Sequence, residues 1–365
     1  MEKLPVAILG ATGAVGQRFI QLLENHPWFE VSELVASDRS AGRDYADAAR
    51  WVLDGEPPTR IRNMRIKPLD SNLESPLVFS ALPKEAADPH ELRLASAGHV
   101  VCTNASLNRM LEDVPLLLPE VNAGHLALID IQRANRGWTT GALIANSNCT
   151  IMPVVMSLAP LRQFGIEQIM IVSAQAISGA GYPGVSALDI LDNIIPYIGG
   201  EEDKMETESL RMLGTLNDDH VEWLPAVVSA TCNRASVIDG HLVNLSVSLK
   251  SEPGLDDILE AWAQFRGGDP VPLLPSAPKE PVHYFEQPDR PQPRRDRNYG
   301  KGMTTTIGRL RECPLLGYKF AALSHNTIRG AAGCSILNAE LMAAKGYVTG
   351  FYPEIVASNP EAVMS

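Results

Sequence analysis

Gly10, Gly13 and Gly16 set the strongest limit on what this chain can become. They follow the apolar run 6–9 and open a stretch, 14–25, whose apolar residues Val15, Phe19, Ile20, Leu22 and Leu23 recur at helical spacing. A buried strand that turns at once into a helix is the first half of a βαβ unit, and glycines permit so tight a turn. The turn also leaves the first N–H groups of the helix unpaired, where a pyrophosphate can approach them. The spacing is G-x-x-G-x-x-G rather than the commoner G-x-G-x-x-G, but the physics is shared. Gly10, Thr12, Gly13, Ala14 and Val15 are therefore the expected cradle of a dinucleotide.

The rest of the chain continues in two styles. Strand-like runs at 31–36, 77–82 and 99–103 extend the alternation and predict a parallel sheet. Beyond residue 150 the runs 169–176, 226–231, 242–249, 304–310 and 319–323 are longer. Several alternate in polarity, as an antiparallel sheet with one wet face would. An amphipathic helix is expected over 255–265, an irregular Pro-rich excursion over 268–299, and a strong helix over 331–345 that returns to the first domain. The tail from Gly350 reads as loosely ordered. The fold class is α/β: an N-terminal Rossmann-type parallel sheet plus a second α/β domain with a largely antiparallel sheet. The expected boundaries are 1–148 with 326–365 for the first domain and 149–325 for the second.

Composition narrows the partners. The formal net charge of −12 over 365 residues argues against a nucleic-acid binder, which needs a basic stripe. No apolar run approaches the ~20 residues needed to span a bilayer. The five cysteines are scattered with no C-x-x-C pair, so neither a zinc site nor a disulfide framework is indicated, and a cytoplasmic setting fits.

Cys149 stands out among them. In Ser147-Asn148-Cys149-Thr150 it sits where the apolar run 143–145 gives way to an expected helix start. Unpaired N–H groups and partial positive charge at such a start favour thiolate over thiol and can hold an oxyanion beside the sulfur. A buried structural cysteine is the plain alternative. Asn148 is placed to cap that helix. The second strand ends in Ala36-Ser37-Asp38-Arg39-Ser40, where Ser37, Arg39 and Ser40 suit a ribose 2′-phosphate. Asp38 is the complication, since an acidic residue there serves NAD. The cofactor reading is NADP (NADPH).

Taken in order, the segments GATGAVGQRF, ASDRSAGR, VPLLLPEVN, NSNCT, QAISGAGYPG, DNIIPYIGGEEDK, CNRASVIDGH and LSHNTIRGAAG resemble those of the aspartate-semialdehyde dehydrogenase family, in its archaeal and fungal branch. The resemblance runs to about residue 349. It implies a Rossmann NADP domain, a catalytic and dimerisation domain, and a homodimer or homotetramer. The implied reaction is reversible NADP-dependent conversion of L-aspartate 4-semialdehyde and phosphate to 4-aspartyl phosphate through a cysteine thioester. Cys149 becomes the nucleophile and His241 the general acid/base, whose ordinary pKa of about 6.5 suits proton traffic. Arg234, seven residues before His241, becomes the anchor of the substrate α-carboxylate, which its fork fits.

By the same resemblance Gln175 orients the acyl group, and Lys204 and Arg109 bind phosphate. Glu201, or by one position Glu202, meets the substrate ammonium, and Asn148 shapes the pocket. Ser178, Gly179 and Asn326 lie against the cofactor. Ala235-Ser236 departs from the Val-Pro or Val-Ala associated with the Arg234 motif. Malonyl-CoA reductase and N-acetylglutamyl-phosphate reductase share this architecture and remain rivals. A catalytically silent NADP-binding regulator is the rival outside enzymes.

Overall fold

The computed structural model describes residues 2–353. The sequence-expected extension of the first domain to 365 therefore lies outside the described residues beyond 353, as does most of the tail from Gly350.

The first sheet is built from β1 (Leu4–Leu9), β2 (Phe29–Val35), β3 (Ile66–Lys67), β4 (Leu77–Ser80), β5 (Val100–Thr103), β6 (Leu116–Leu117) and β7 (Ala142–Asn146). Their order is β3-β2-β1-β4-β5-β7-β6, and every pairing is parallel. Buried on both faces, the strands are near-continuous apolar runs such as Leu77-Val78-Phe79 and Ala142-Leu143-Ile144. Successive side chains feed opposite cores. Val6, Ile8, Phe79 and Ile144 pack with Phe19 and Ile20 of the helix Ala14–Leu23 and with Ile336 and Leu337 of the helix Gly333–Ala344. The C-terminal helix thus returns to the first sheet. Ala7, Leu9, Val78, Leu143 and Ala145 face the other way, into a core shared with the second sheet.

The second sheet contains β8 (Ile166–Gln175), β9 (Ile194–Ile195), β12 (Val227–Ala235), β13 (His241–Leu249), β14 (Val282–Phe285), β15 (Thr305–Cys313) and β16 (Gly317–Ser324). A separate two-stranded hairpin, β10 (Thr215–Leu216) and β11 (Val221–Glu222), lies outside it. The order is β14-β15-β16-β13-β8-β12-β9. Most pairs are antiparallel as expected, but β8–β12 and β14–β15 are parallel, so the sheet is mixed. The excursion 268–299 is not wholly irregular: its residues 282–285 form edge strand β14. Four residues among prolines carry too short a pattern to reveal a strand, and pairing with β15 supplies it.

The helix Ile151–Leu158 joins the two halves. All eight of its residues are buried, between the first sheet and the inner face of the second. The loop before it, 147–150, is thereby fixed at both ends. At the front of the first sheet, Gly10 turns with φ +73°, and a Cβ there would sit 2.7 Å from the Ala81 carbonyl oxygen. The Gly10 N–H reaches back to the Val35 carbonyl at 2.9 Å, which sets the glycine turn beside the end of β2.

At Gly16 a Cβ would overlap the Gly10 carbonyl oxygen and the backbone of Ala11. Gly16→Ala should therefore force the first helix off its strand and cost about 2–3 kcal/mol, the range of core overpacking. Urea denaturation checks this, and an unchanged midpoint would contradict the close approach.

Candidate active site

Strand ends bring the chemical groups together. β7 delivers Cys149 from the first sheet, while β8, β12 and β13 deliver Gln175, Arg234 and His241 from the second. In the ladder Arg234 is the Cα partner of Gln175, and His241 lies one step beyond the Leu242–Ala174 pair. The three side chains therefore leave adjacent strands at one edge. Cys149 Sγ lies 3.2 Å from His241 Nε2, across a sequence separation of 92 residues.

Backbone groups hold these side chains. The Ala176 N–H donates to His241 Nδ1 at 2.9 Å, and Arg234 Nη1 donates to the Ala176 carbonyl at 2.7 Å. One residue's backbone thus fixes both the imidazole and the guanidinium. Because Nδ1 accepts, the neutral ring carries its proton on Nε2, which points at the sulfur. Burial, with smaller contributions from Arg234 and His325, pushes the His241 pKa down to about 3, so the ring stays neutral at physiological pH. Gln175 is buried and donates weakly to Ser173 Oγ at 3.4 Å.

The sulfur's environment corrects one expectation. A place ahead of a helix suggests a thiolate, yet burial first, and then the Glu201 carboxylate, push the Cys149 thiol up to about 11. Arg109 and Arg234 pull it down without prevailing. The expected oxyanion donors are also partly used. The Thr150 N–H bonds Asn148 Oδ1 at 2.8 Å, and the Ile151 N–H bonds the Asn148 carbonyl at 3.1 Å. Asn148 closes the turn ahead of the helix rather than capping it: the cap position falls on Thr150, which has no side-chain cap bond, and Asn148 occupies two of the N–H groups. The Nε2–H of His241 is the donor left facing the sulfur.

The helix Glu201–Met212 supplies the acidic side of the site. Glu201 accepts from the Asn148 amide at 3.0 and 2.9 Å and from Lys204 Nζ at 2.8 Å. Glu202 points elsewhere: it accepts the Cys232 N–H at 3.0 Å on β12. Of the two glutamates, Glu201 is the one beside Asn148 and Cys149. Arg109 is buried, pairs with Glu208 at 3.2 Å and donates to the Asn104 carbonyl at 2.9 Å. Its Nε is buried without a partner among the described residues.

Beside these groups runs an apolar cleft of about 240 Å³ between the two halves. It is lined by Ala14 and Val15 at the start of the first helix, by Val52, and by Ile177, Ser178 and Tyr182 from the loop after β8. The helix Ala14–Leu23 has no side-chain cap, so its first N–H groups are free for an anion. Gly10, Thr12 and Gly13 form the turn behind it. Asn326 ties the cleft to the catalytic edge: its amide donates to Ser178 Oγ at 2.7 Å and its oxygen accepts the Gly240 N–H at 2.8 Å. Gly179 lies directly against Arg234 and His241, with room for no side chain. Ser37, Arg39 and Ser40 lie outside the cleft's lining, in a turn after β2 closed by the Ser40 N–H on the Ser37 carbonyl. Ser37 and Arg39 are exposed there.

Two neighbours, Arg18 and Glu208, escaped the sequence reading. Arg18 lines the cleft one turn along the first helix from Ala14 and Val15. Gly330 presses on Cys149, where a Cβ would lie 2.6 Å from Cys149 Cβ. Glu208 also accepts the Asn148 N–H at 2.9 Å. It stands seven residues, two helical turns, beyond Glu201, so helical periodicity was the signal that could have found it.

Comparison with known proteins finds relatives along nearly the whole chain. Residues 5–129 match the family model described as semialdehyde dehydrogenase, NAD binding domain, and residues 158–329 that described as semialdehyde dehydrogenase, dimerisation domain. An aspartate-semialdehyde dehydrogenase of Archaeoglobus fulgidus is 48% identical over 92% of this chain and 97% of its own. One from Aspergillus fumigatus is 44% identical over 95% and 99%. The crystal structure of aspartate semialdehyde dehydrogenase with NADP from Candida albicans superposes with a TM-score of 0.87 at 40% identity, covering 95% of this chain and all of that one. With both domain models matched in order and such identity along nearly its whole length, the chain belongs to the aspartate-semialdehyde dehydrogenase family.

Proposed function

We propose that this protein catalyses the NADP-dependent, reversible reductive dephosphorylation of 4-aspartyl phosphate to L-aspartate 4-semialdehyde through a thioester on Cys149. The observation that carries the reading is the 3.2 Å approach of Cys149 Sγ to His241 Nε2, with Arg234 and Gln175 on the neighbouring strands. Among the described residues, 2–148 and 326–353 form the coenzyme domain, and 149–325 the catalytic and dimerisation domain. The relative from Candida albicans, solved with NADP, supports the choice of coenzyme. The uncapped helix start, the cleft beside it and Ser37, Arg39 and Ser40 next to the glycine turn suit a dinucleotide with a 2′-phosphate.

The chain's own groups then have defined tasks. Arg234 holds the substrate α-carboxylate and Glu201 its ammonium. Arg109, with its unpartnered Nε, and Lys204 hold the phosphoryl group. Cys149 attacks the acyl carbon; the C–O bond to phosphate breaks, and the departing phosphate takes the thiol proton. NADPH, when bound, supplies the hydride that reduces the thioester. The tetrahedral oxyanion then collapses to the aldehyde, expelling the sulfur, which takes a proton from solvent. His241 serves as a fixed Nε2–H donor to the oxyanion and the leaving sulfur, the donor half of the role expected of it, and no step needs an imidazolium. Gln175 orients the acyl group beside the sulfur.

Two further features fit. The outer face of the second sheet exposes Met170, Val172 and Val227, an apolar surface suited to pairing of two copies, in keeping with the dimerisation-domain family. All five cysteines are unpaired, as suits a reducing cytoplasm.

Phosphate-dependent oxidation of aspartate semialdehyde should far exceed both CoA-dependent oxidation of malonate semialdehyde and turnover of N-acetylglutamate semialdehyde; a preference for either alternative would overturn the assignment. Cys149→Ala should abolish turnover and spare NADPH binding, whereas loss of binding would mark a structural cysteine. Arg234→Leu should raise the KM for the semialdehyde by roughly 100-fold, the value of a charged hydrogen-bond pair, and unchanged kinetics would reject the carboxylate role. With a thiol near 11, alkylation of Cys149 by iodoacetamide should rise about tenfold per pH unit through about pH 7–10, because only the thiolate reacts. A plateau near neutrality would instead reveal a thiolate–imidazolium pair.

A further inference from the structure

Both cations assigned to phosphate already have carboxylate partners. Glu201 pairs with Lys204 at 2.8 Å and Glu208 with Arg109 at 3.2 Å. These glutamates lie on one face of the helix Glu201–Met212, and both also grip Asn148, the residue before the nucleophile. Glu201 takes its side-chain amide, and Glu208 Oε2 takes its backbone N–H at 2.9 Å. Glu208 is buried, so its two bonds are unscreened by water. A phosphate that engages Arg109 must compete with Glu208 Oε1, while Oε2 of the same carboxylate anchors the loop that carries Cys149.

We propose that Glu208 is a positioning residue that couples the phosphate site to the nucleophile. Its carboxylate restrains the grip of Arg109 on phosphate and keeps the Asn148–Cys149 backbone in line with His241. This rests on the reading of Arg109 as a phosphate ligand. Arg109, Lys204, Glu201 and Glu208 together carry no net formal charge, so each carboxylate offsets the attraction of its cation for an anion. Phosphate is a product in the reductive direction, and a site that bound it too tightly would stabilise the bound ground state rather than the transition state.

Neutralising Glu208 separates its two roles. Glu208→Gln keeps the shape but removes the charge that competes for Arg109. The KM for inorganic phosphate should fall about tenfold, the scale of one removed charge a few ångströms from the site. The same change weakens the hold on the Asn148 N–H, and kcat should fall about 10- to 100-fold, the effect of a small misplacement of the nucleophile. Glu208→Asp keeps the charge but is one methylene too short to serve both partners; it should lower kcat without lowering the phosphate KM, and it keeps the question open to test if the amide variant does not fold. Retained NADPH binding serves as the check on folding. A folded Glu208→Gln with wild-type kcat and phosphate KM, or with a raised phosphate KM, would overturn the proposal. Arg109→Gln distinguishes the two levels: if it leaves the phosphate KM unchanged, the phosphate reading of Arg109 fails. If it raises that KM while Glu208→Gln moves nothing, only the coupling role fails.

Discussion

The contact between Cys149 Sγ and His241 Nε2 is the constraint around which the molecule is arranged. Its two atoms belong to different sheets, and neither is free to drift. The sulfur is held by a short loop between β7 and a helix buried on every side, where a shift would open a void in the shared core. The imidazole is held through Nδ1 by the Ala176 N–H, and its strand start is held by Asn326 on the Gly240 N–H. Gly179 and Gly330 allow the backbone to close on the pair where any side chain would collide. Placement within a fraction of an ångström is what covalent catalysis requires, and here packing and backbone hydrogen bonds provide it.

Around that contact the site concentrates charge in a poorly hydrated space. Arg109, Arg234, Glu201 and Glu208 are all buried, and each cation or carboxylate has a polar partner. Charges without partners there would be prohibitive, so Arg109 pairs with Glu208 and Glu201 with Lys204, while Arg234 is satisfied by the Ala176 carbonyl. Desolvation also explains the resting state of the reacting groups: it keeps the imidazole neutral and the sulfur protonated. On the proposed mechanism Cys149 and His241 both start neutral, and the fixed dipoles and cations around them act when charge develops on substrate oxygen.

Much of this was legible in advance, for reasons that differ from residue to residue. The glycine turn was readable because tight turns, strand runs and helical spacing are local properties of the backbone. Gln175, Arg234 and His241 were readable through resemblance of ordered motifs, although nothing in their spacing shows that three adjacent strand ends bring them together. Strand β14 was missed because a parallel edge strand of four residues is stabilised by its neighbour rather than by its own pattern. The helix-start polarity that suggests a thiolate at Cys149 is local, whereas the burial and the Glu201 carboxylate that push its thiol up come from another part of the chain. Glu208 was not singled out, because its burial exists only once its helix docks over the loop 147–150.

By itself the sequence determined the order of elements, the glycine turn, the two sheet styles and the chemical identity of the reacting groups, because those follow from neighbours a few residues apart. Tertiary structure alone decided which nitrogen of His241 bears the proton, which of Glu201 and Glu202 faces Asn148, and in which direction the sulfur's pKa is pushed. Those depend on distances between strands more than 50 residues apart in sequence and on the exclusion of water between them, and neither quantity exists until the two sheets have packed onto one core.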